Sequence, residues 1–128
     1  MDRELIKNLN LLREKNHLNE VIKILLLEKK KNPKNLDIIF QLGGAYRSSG
    51  NFEEALASYE EILIYDETFT AAYRMIGTII NHKENRKYLN KLEKLKEKDN
   101  LSSEKKIDMY FSLGKAYEDL GEKEKSAK

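Results

Sequence analysis

Cysteine and tryptophan are absent from the 128 residues, and proline occurs once. Without cysteine there is no disulfide framework, thiolate nucleophile or cysteine metal site, which fits a reducing cytoplasm. The 24 basic and 22 acidic residues nearly balance, unlike the concentrated positive charge of nucleic-acid binders. The longest apolar run, Ile24 to Leu27, is far shorter than the roughly 20 residues that span a bilayer. The first residues carry acid as well as base, so we expect no secretory signal.

A short motif recurs along the chain and reveals an internal repeat. Its three copies begin at Leu42-Gly43, Ile76-Gly77 and Leu113-Gly114, with the glycines 34 and 37 residues apart. A period of 34 residues is typical of a stacked helical hairpin. Because helices packed 8–10 Å apart leave no room for a large side chain at their closest crossing, we expect these glycines to lie at helix crossings. We expect the same of Gly44, since no strand precedes it to form a phosphate loop.

Helical periodicity runs through almost the whole sequence. Proline and glycine mark the breaks: Pro33 cannot continue a helix, and Gly50 suits the left-handed position just past a helix end. The pattern predicts no strand and seven helices, at about 2–15, 18–31, 36–49, 52–65, 69–82, 86–98 and 103–120.

One stretch resembles a known family closely enough to name it. The intervals between Leu42-Gly43, Tyr46, Gly50, Ala55, Tyr59 and Asp66 resemble the signature of the tetratricopeptide repeat. The resemblance implies an all-α fold, a right-handed superhelical array of antiparallel helix hairpins. It also implies a single domain over 1–128, with units at about 2–35, 36–69 and 70–103 and a terminal half-unit at 104–128.

A narrower resemblance concerns the second half of the chain. His82, the lysine-rich segment after it and the run from Tyr110 to Gly121 are similar to the repeat region that precedes a sulfotransferase domain in some bacterial proteins. This implies an alternative function, as the repeat arm of a bacterial sulfotransferase whose catalytic domain is not in this sequence.

The family resemblance also implies a binding surface, because the first helices of successive repeats line a concave groove. Carried over position by position, the groove includes Asn10, Arg13, Gly44 and Glu118 and, as the principal peptide-binding candidates, Phe40, Arg47, Arg74, Thr78, Asn81, His82, Phe111 and Lys115. Arg47, Arg74 and Asn81 are suited to a carboxylate, since guanidinium and amide groups supply convergent donors. The family's clamp for a C-terminal carboxylate is not implied, because its lysine and asparagine positions differ here.

Catalysis and metal binding are not predicted. His17 and His82 are far apart in the sequence, and neither has a second histidine or a cysteine nearby, whereas such sites need convergent ligands or a nucleophile with its base. We therefore predict a non-catalytic, cytoplasmic module without cofactors that binds a protein or peptide segment, and neither nucleic acid nor a membrane.

Two further alternatives stay open. An RNA-binding helical repeat is conceivable but is disfavoured by the balanced charge. A self-associating scaffold is the other, in which the terminal helix uses Ile107, Tyr110 and Leu120 to form a homo-oligomer, because exposed apolar faces attract partners.

Overall fold

The computed structural model describes residues 2–98 and 100–121. Seven helices, and no strand, occur in those two ranges. They are α1 (Arg3–Glu14), α2 (Leu18–Lys31), α3 (Leu36–Ser48), α4 (Phe52–Tyr65), α5 (Thr70–Ile76), α6 (Lys87–Lys96) and α7 (Ser103–Asp119). Contacts group the chain into an N-terminal unit, Met1–Glu61, and a C-terminal unit, Ile62–Lys128. The predicted all-α fold is confirmed.

Polar side chains cap the starts of three helices. Asp2 Oδ1 accepts a hydrogen bond from Leu5 N at 2.8 Å, and Asn35 Oδ1 accepts one from Ile38 N at 3.2 Å. Ser102 caps α7 in the same way. Each cap satisfies one of the free backbone N–H groups of a first helical turn, which explains why the boundaries were predictable within a few residues.

Two hairpin turns use the same left-handed backbone position. Gly50 has φ 82° after α3, as predicted, and Asn16 has φ 60° after α1. The two residues are 34 apart, and asparagine is one of the few residues with a side chain that adopts this conformation readily. The first repeat therefore keeps the turn geometry of the second without its glycine.

The predicted helix at 69–82 is wrong over its second half, because α5 ends at Ile76. The residues that follow are a glycine and three β-branched side chains, Thr78 to Ile80, all poor helix formers. The backbone N–H of His82 then donates to Asp119 Oδ2 at 2.9 Å and not to a carbonyl one turn earlier. The side chain of Asp119 thus replaces the helical hydrogen bond.

The N-terminal unit buries one apolar cluster, as α1 packs on α2 and α2 on α3. Its buried members are Leu9, Val21, Ile22, Leu25, Ile38, Leu42 and Ala45. They recur at three- and four-residue spacing, so one stripe of each helix faces the others.

Gly43 confirms the close-crossing prediction. A Cβ atom at this position would lie 2.6 Å from Cε1 of Tyr59, a fully buried ring that also packs against Phe40 at a centroid distance of 5.7 Å. The absence of a side chain at Gly43 is what lets α3 and α4 approach.

The prediction is wrong at two other glycines. At Gly77 a Cβ would make only ordinary contacts, 3.4 Å or more from the Arg74 carbonyl and its other neighbours, and at Gly44 nothing lies within 4 Å. Gly77 follows the last residue of α5, and Gly44 opens onto a cavity described below. For Gly114 the close crossing stays a prediction.

In the C-terminal unit α7 packs on both α5 and α6. Tyr73 and Tyr88 are each 1% exposed. Burial and, to a smaller extent, the nearby Glu67 carboxylate together raise the pKa of the Tyr73 hydroxyl to about 12. Tyr73 is therefore a neutral core residue at any physiological pH.

Candidate peptide-binding site

A cavity of about 390 Å³ lies between the first and second repeats of the N-terminal unit. We call it the arginine cavity. Its walls come from the end of α1, the following turn, the start of α2 and the part of α3 from Phe40 to its end. The lining residues are Arg13, Asn16, Leu18, Phe40, Gln41, Gly44, Ala45, Arg47 and Ser48. A pocket with apolar walls and a few convergent polar groups is the usual form of a ligand site.

Neutral partners orient Arg13 in this cavity. Its Nη2 donates to Gln41 Oε1 at 2.8 Å, and its Nη1 donates to Asn10 Oδ1 at 3.3 Å. These bonds fix the guanidinium plane without neutralising its charge. Arg13 therefore presents a positive charge whose orientation is already set, which lowers the ordering cost of binding.

Arg47 occupies the same place one repeat later, 34 residues on. Its Nε is buried and has no hydrogen-bond partner among the described residues. The Tyr59 hydroxyl is also buried, and no described residue lies at hydrogen-bonding geometry to it. Burial raises the pKa of Tyr59, although the positive charge of the neighbouring Arg47 partly opposes this. The guanidinium thus lies beside a neutral phenol and not beside a carboxylate.

The arginines of the two units differ in their ion pairing. Across residues 2–98 and 100–121, no carboxylate pairs with Arg13 or Arg47. In the C-terminal unit, by contrast, Arg74 Nη1 lies 3.2 Å from Asp108 Oδ1, and its guanidinium carbon lies 4.2 Å from the Phe111 ring centroid. The N-terminal unit thus combines a cavity with two guanidinium groups that have no carboxylate partner among the described residues.

Lys115 is also neutralised within the C-terminal unit. Its Nζ binds Asp119 Oδ1, and the other carboxylate oxygen of Asp119 receives the backbone N–H of His82. This carboxylate ties α7 to the segment after α5. Lys115 is therefore part of a structural ion pair.

His82 corrects the predicted groove. Its side chain is 0% exposed, with Nδ1 3.0 Å from Asp119 Oδ2, so it cannot contact a peptide on the surface. An ionised carboxylate can only accept, so the proton lies on Nδ1. Nε2 is left buried and without a partner among the described residues.

The pKa of Asp119 predicts an acid-labile contact. Burial alone would raise this pKa, but hydrogen bonds from the His82 backbone and from the Lys115 and His82 side chains hold it at about 2. Because the folded pKa lies below the usual 3.8, the stabilisation is complete above that value and is lost as the pH falls towards 2.

We therefore expect Asp119→Asn to lower the free energy of unfolding by roughly 1–3 kcal/mol at pH 7, the usual cost of losing hydrogen bonds to a charged group. At pH 2 the variant and the parent should converge. Urea unfolding across this pH range measures the difference, and a constant gap between the two proteins would contradict the assignment.

The other predicted groove residues lie at or near the surface. Thr78 and Asn81 are exposed, though both make local bonds, to the Met75 carbonyl and from the Lys83 N–H. Phe111 is 55% exposed. Phe40 is half-buried and lines the arginine cavity. Whether any of them binds a peptide stays a prediction.

Two of the three apolar residues that were expected to be exposed on the terminal helix, α7, are exposed. Ile107 and Tyr110 are 63% and 49% exposed, while Leu120 is half-buried. Self-association through this face stays a prediction.

Sequence reasoning missed the polar lining of the arginine cavity. Gln41 orients Arg13, and Asn16 and Ser48 complete the wall. One signal could have found the site, namely that Arg13 and Arg47 occupy the same repeat position. Their ion pairing could not be read from the sequence, because it depends on where distant carboxylates lie.

Comparisons with known proteins agree with this architecture. A family model for the tetratricopeptide repeat matches residues 36–68 and 107–128. A solved structure titled "Crystal structure of MamA" has a similar fold, with a TM-score of 0.66 and 23% identity, over 98% of this chain and 69% of that one. No curated protein matches. The two segments therefore match the tetratricopeptide repeat, and the chain has an all-α fold like that of the MamA structure.

Other kinds of site are not evident in the described part of the chain. Residues 2–98 and 100–121 contain no group of three or more potential metal-ligating side chains. No helix there is long and apolar enough to cross a membrane.

Proposed function

We propose that this protein binds a peptide or protein segment in the arginine cavity, and that Arg13 and Arg47 hold an acidic side chain of that segment. Tetratricopeptide repeats are protein-interaction modules, which supports the general part of the proposal. The module performs no chemistry of its own. The sulfotransferase-arm and RNA-binding alternatives stay predictions, as do the cytoplasmic location and bacterial origin.

The observation that carries the proposal is the pair of guanidinium groups on one cavity, neither of which pairs with a carboxylate in the described part of the chain. A guanidinium that is partly desolvated has a strong preference for a carboxylate, because its fork of N–H donors matches two carboxylate oxygens. The half-buried Phe40 supplies an apolar wall next to them. The site thus suits a side chain with a short apolar stem and an anionic end.

Binding of a short segment should be modest in strength. A micromolar complex corresponds to about −8 kcal/mol, and the ordering of a flexible peptide offsets much of what two ionic contacts contribute. The ionic part should also weaken with salt, since the Debye length falls from about 10 Å at 0.1 M to 3 Å at 1 M.

A matched pair of peptides tests the proposal. The acidic probe is the acetylated and amidated pentapeptide Asp-Ala-Leu-Ala-Gln, and the neutral probe replaces its aspartate by asparagine. With a fluorescent label, anisotropy should show the acidic probe binding about tenfold more tightly, equal to about 1.4 kcal/mol, with a difference that shrinks at high salt. Equal affinities at low salt would contradict the proposal.

A further inference from the structure

A second cavity adjoins the arginine cavity. It has a volume of about 330 Å³ and is lined by Ile6, Asn35, Asp37, Ile38, Phe40 and Gln41. Phe40 and Gln41 belong to both cavities. A ligand that follows α3 would therefore pass from one to the other over the same two side chains.

The two cavities carry opposite charges. Asp37 is exposed in the first turn of α3, and no cation among the described residues forms an ion pair with it. A carboxylate in a first turn stabilises its helix through the helix dipole, which accounts for its presence but not for its position on a cavity. The second cavity therefore has an unneutralised negative charge, and the first has two positive ones.

The distance between these charges matches a short peptide. Asp37 and Arg47 are ten residues apart on α3, which corresponds to about 15 Å along the helix axis at 1.5 Å per residue. An extended chain covers about 3.3 Å per residue. Two oppositely charged side chains about four residues apart on one extended segment would therefore reach both cavities.

We propose that the adjoining cavities bind one extended peptide that carries an acidic side chain and, about four residues away, a basic one. The acidic side chain lies between Arg13 and Arg47, and the basic side chain lies against Asp37. Apolar side chains of the segment pack on Phe40 and Ile6 between them. This inference rests on the proposed function and defines the class of segment recognised.

Three acetylated and amidated pentapeptides test it. Two have opposite charges at their ends, Asp-Ala-Leu-Ala-Lys and its reverse Lys-Ala-Leu-Ala-Asp, so that both chain directions are covered. The third is the acidic probe, Asp-Ala-Leu-Ala-Gln. We expect one of the first two to bind about threefold to fivefold more tightly than the acidic probe, as one additional exposed ion pair provides.

In the Asp37→Asn variant the peptide with both charges should bind no more tightly than the acidic probe, whereas Asp37→Glu should retain the difference between them. Circular dichroism checks that both variants are folded. Suppose that the acidic probe binds and Arg47→Ala weakens it, but neither peptide with both charges binds more tightly than the acidic probe. The inference is then overturned, and the proposed function stands. If the acidic probe does not bind, or is insensitive to both arginines, the proposed function itself fails.

Discussion

Replacing Gly43 by valine is expected to lower the free energy of unfolding by about 1–3 kcal/mol, the usual cost of forcing extra atoms into a packed core. The first added carbon would already lie 2.6 Å from Cε1 of Tyr59 and 2.8 Å from its Cζ. The ring cannot move aside easily, because Tyr59 is 0% exposed and packs on Phe40. The substitution should therefore push α3 away from α4.

The neighbouring glycine is a matched control. Gly44 is in the same helix, and a Cβ there would meet nothing within 4 Å. Since valine is a slightly better helix former than glycine, Gly44→Val should leave stability within about 0.5 kcal/mol of the parent. Urea unfolding of both variants measures the difference. Equal losses at the two positions would show that contact with the Tyr59 ring does not decide the outcome.

A double change isolates the contact itself. If the Tyr59 ring is the obstacle, Gly43→Val should cost less in a Tyr59→Ala background than in the parent, because the space is then free. Residues in direct contact show interaction energies of about 0.5–3 kcal/mol in such a cycle. Additive losses would indicate that the strain arises elsewhere.

The second large effect concerns binding. We expect Arg13→Ala and Arg47→Ala each to weaken binding of the acidic probe about tenfold, or about 1.4 kcal/mol, which brings its affinity to that of the neutral probe. The double variant should weaken binding little further, because both guanidinium groups bind the same carboxylate. Loss of a charge-assisted hydrogen bond in a partly desolvated site produces effects of this size. The same fluorescence titration measures all three variants.

Arg74→Ala is the control for this prediction. The Arg74 guanidinium already forms an ion pair with Asp108 and packs on the Phe111 ring. Arg74→Ala should therefore change the affinity for the acidic probe less than twofold. Arg47→Lys should lie between the parent and Arg47→Ala, because lysine keeps the charge but not the two-pronged donor. If Arg74→Ala weakened binding as much as Arg47→Ala, general attraction by positive charge would explain the result.

The fold was largely predictable because its signals are local. Helical periodicity, the Asn35 cap and the turn at Gly50 are set by neighbouring residues, and six of the seven helices are close to their predicted bounds. The exception was α5. Its periodicity continues past Ile76, although the glycine and β-branched residues there are poor helix formers. The carboxylate that accepts from the His82 N–H in place of a helical carbonyl comes from the distant Asp119.

The binding surface was predictable in its positions but not in its electrostatics. The repeat register predicted Phe40 and Arg47 for one groove, and both line the arginine cavity, but it treated Arg47, Arg74 and Lys115 alike. Their difference arises from Asp108 and Asp119 on α7, which neutralise Arg74 and Lys115. The Arg74–Asp108 pair joins residues 34 apart, and the Lys115–Asp119 pair joins residues on one face of α7. The number of charges in the sequence does not reveal either pair.

Binding of an acidic side chain in the arginine cavity can be located residue by residue. Titrating the acidic probe into ¹⁵N-labelled protein and following the backbone amide resonances tests it most directly. We expect the largest shifts at Gln41, Gly44, Arg47 and Ser48, which line the cavity, and none with the neutral probe. Shifts confined to the C-terminal unit, or equal shifts with both probes, would contradict it.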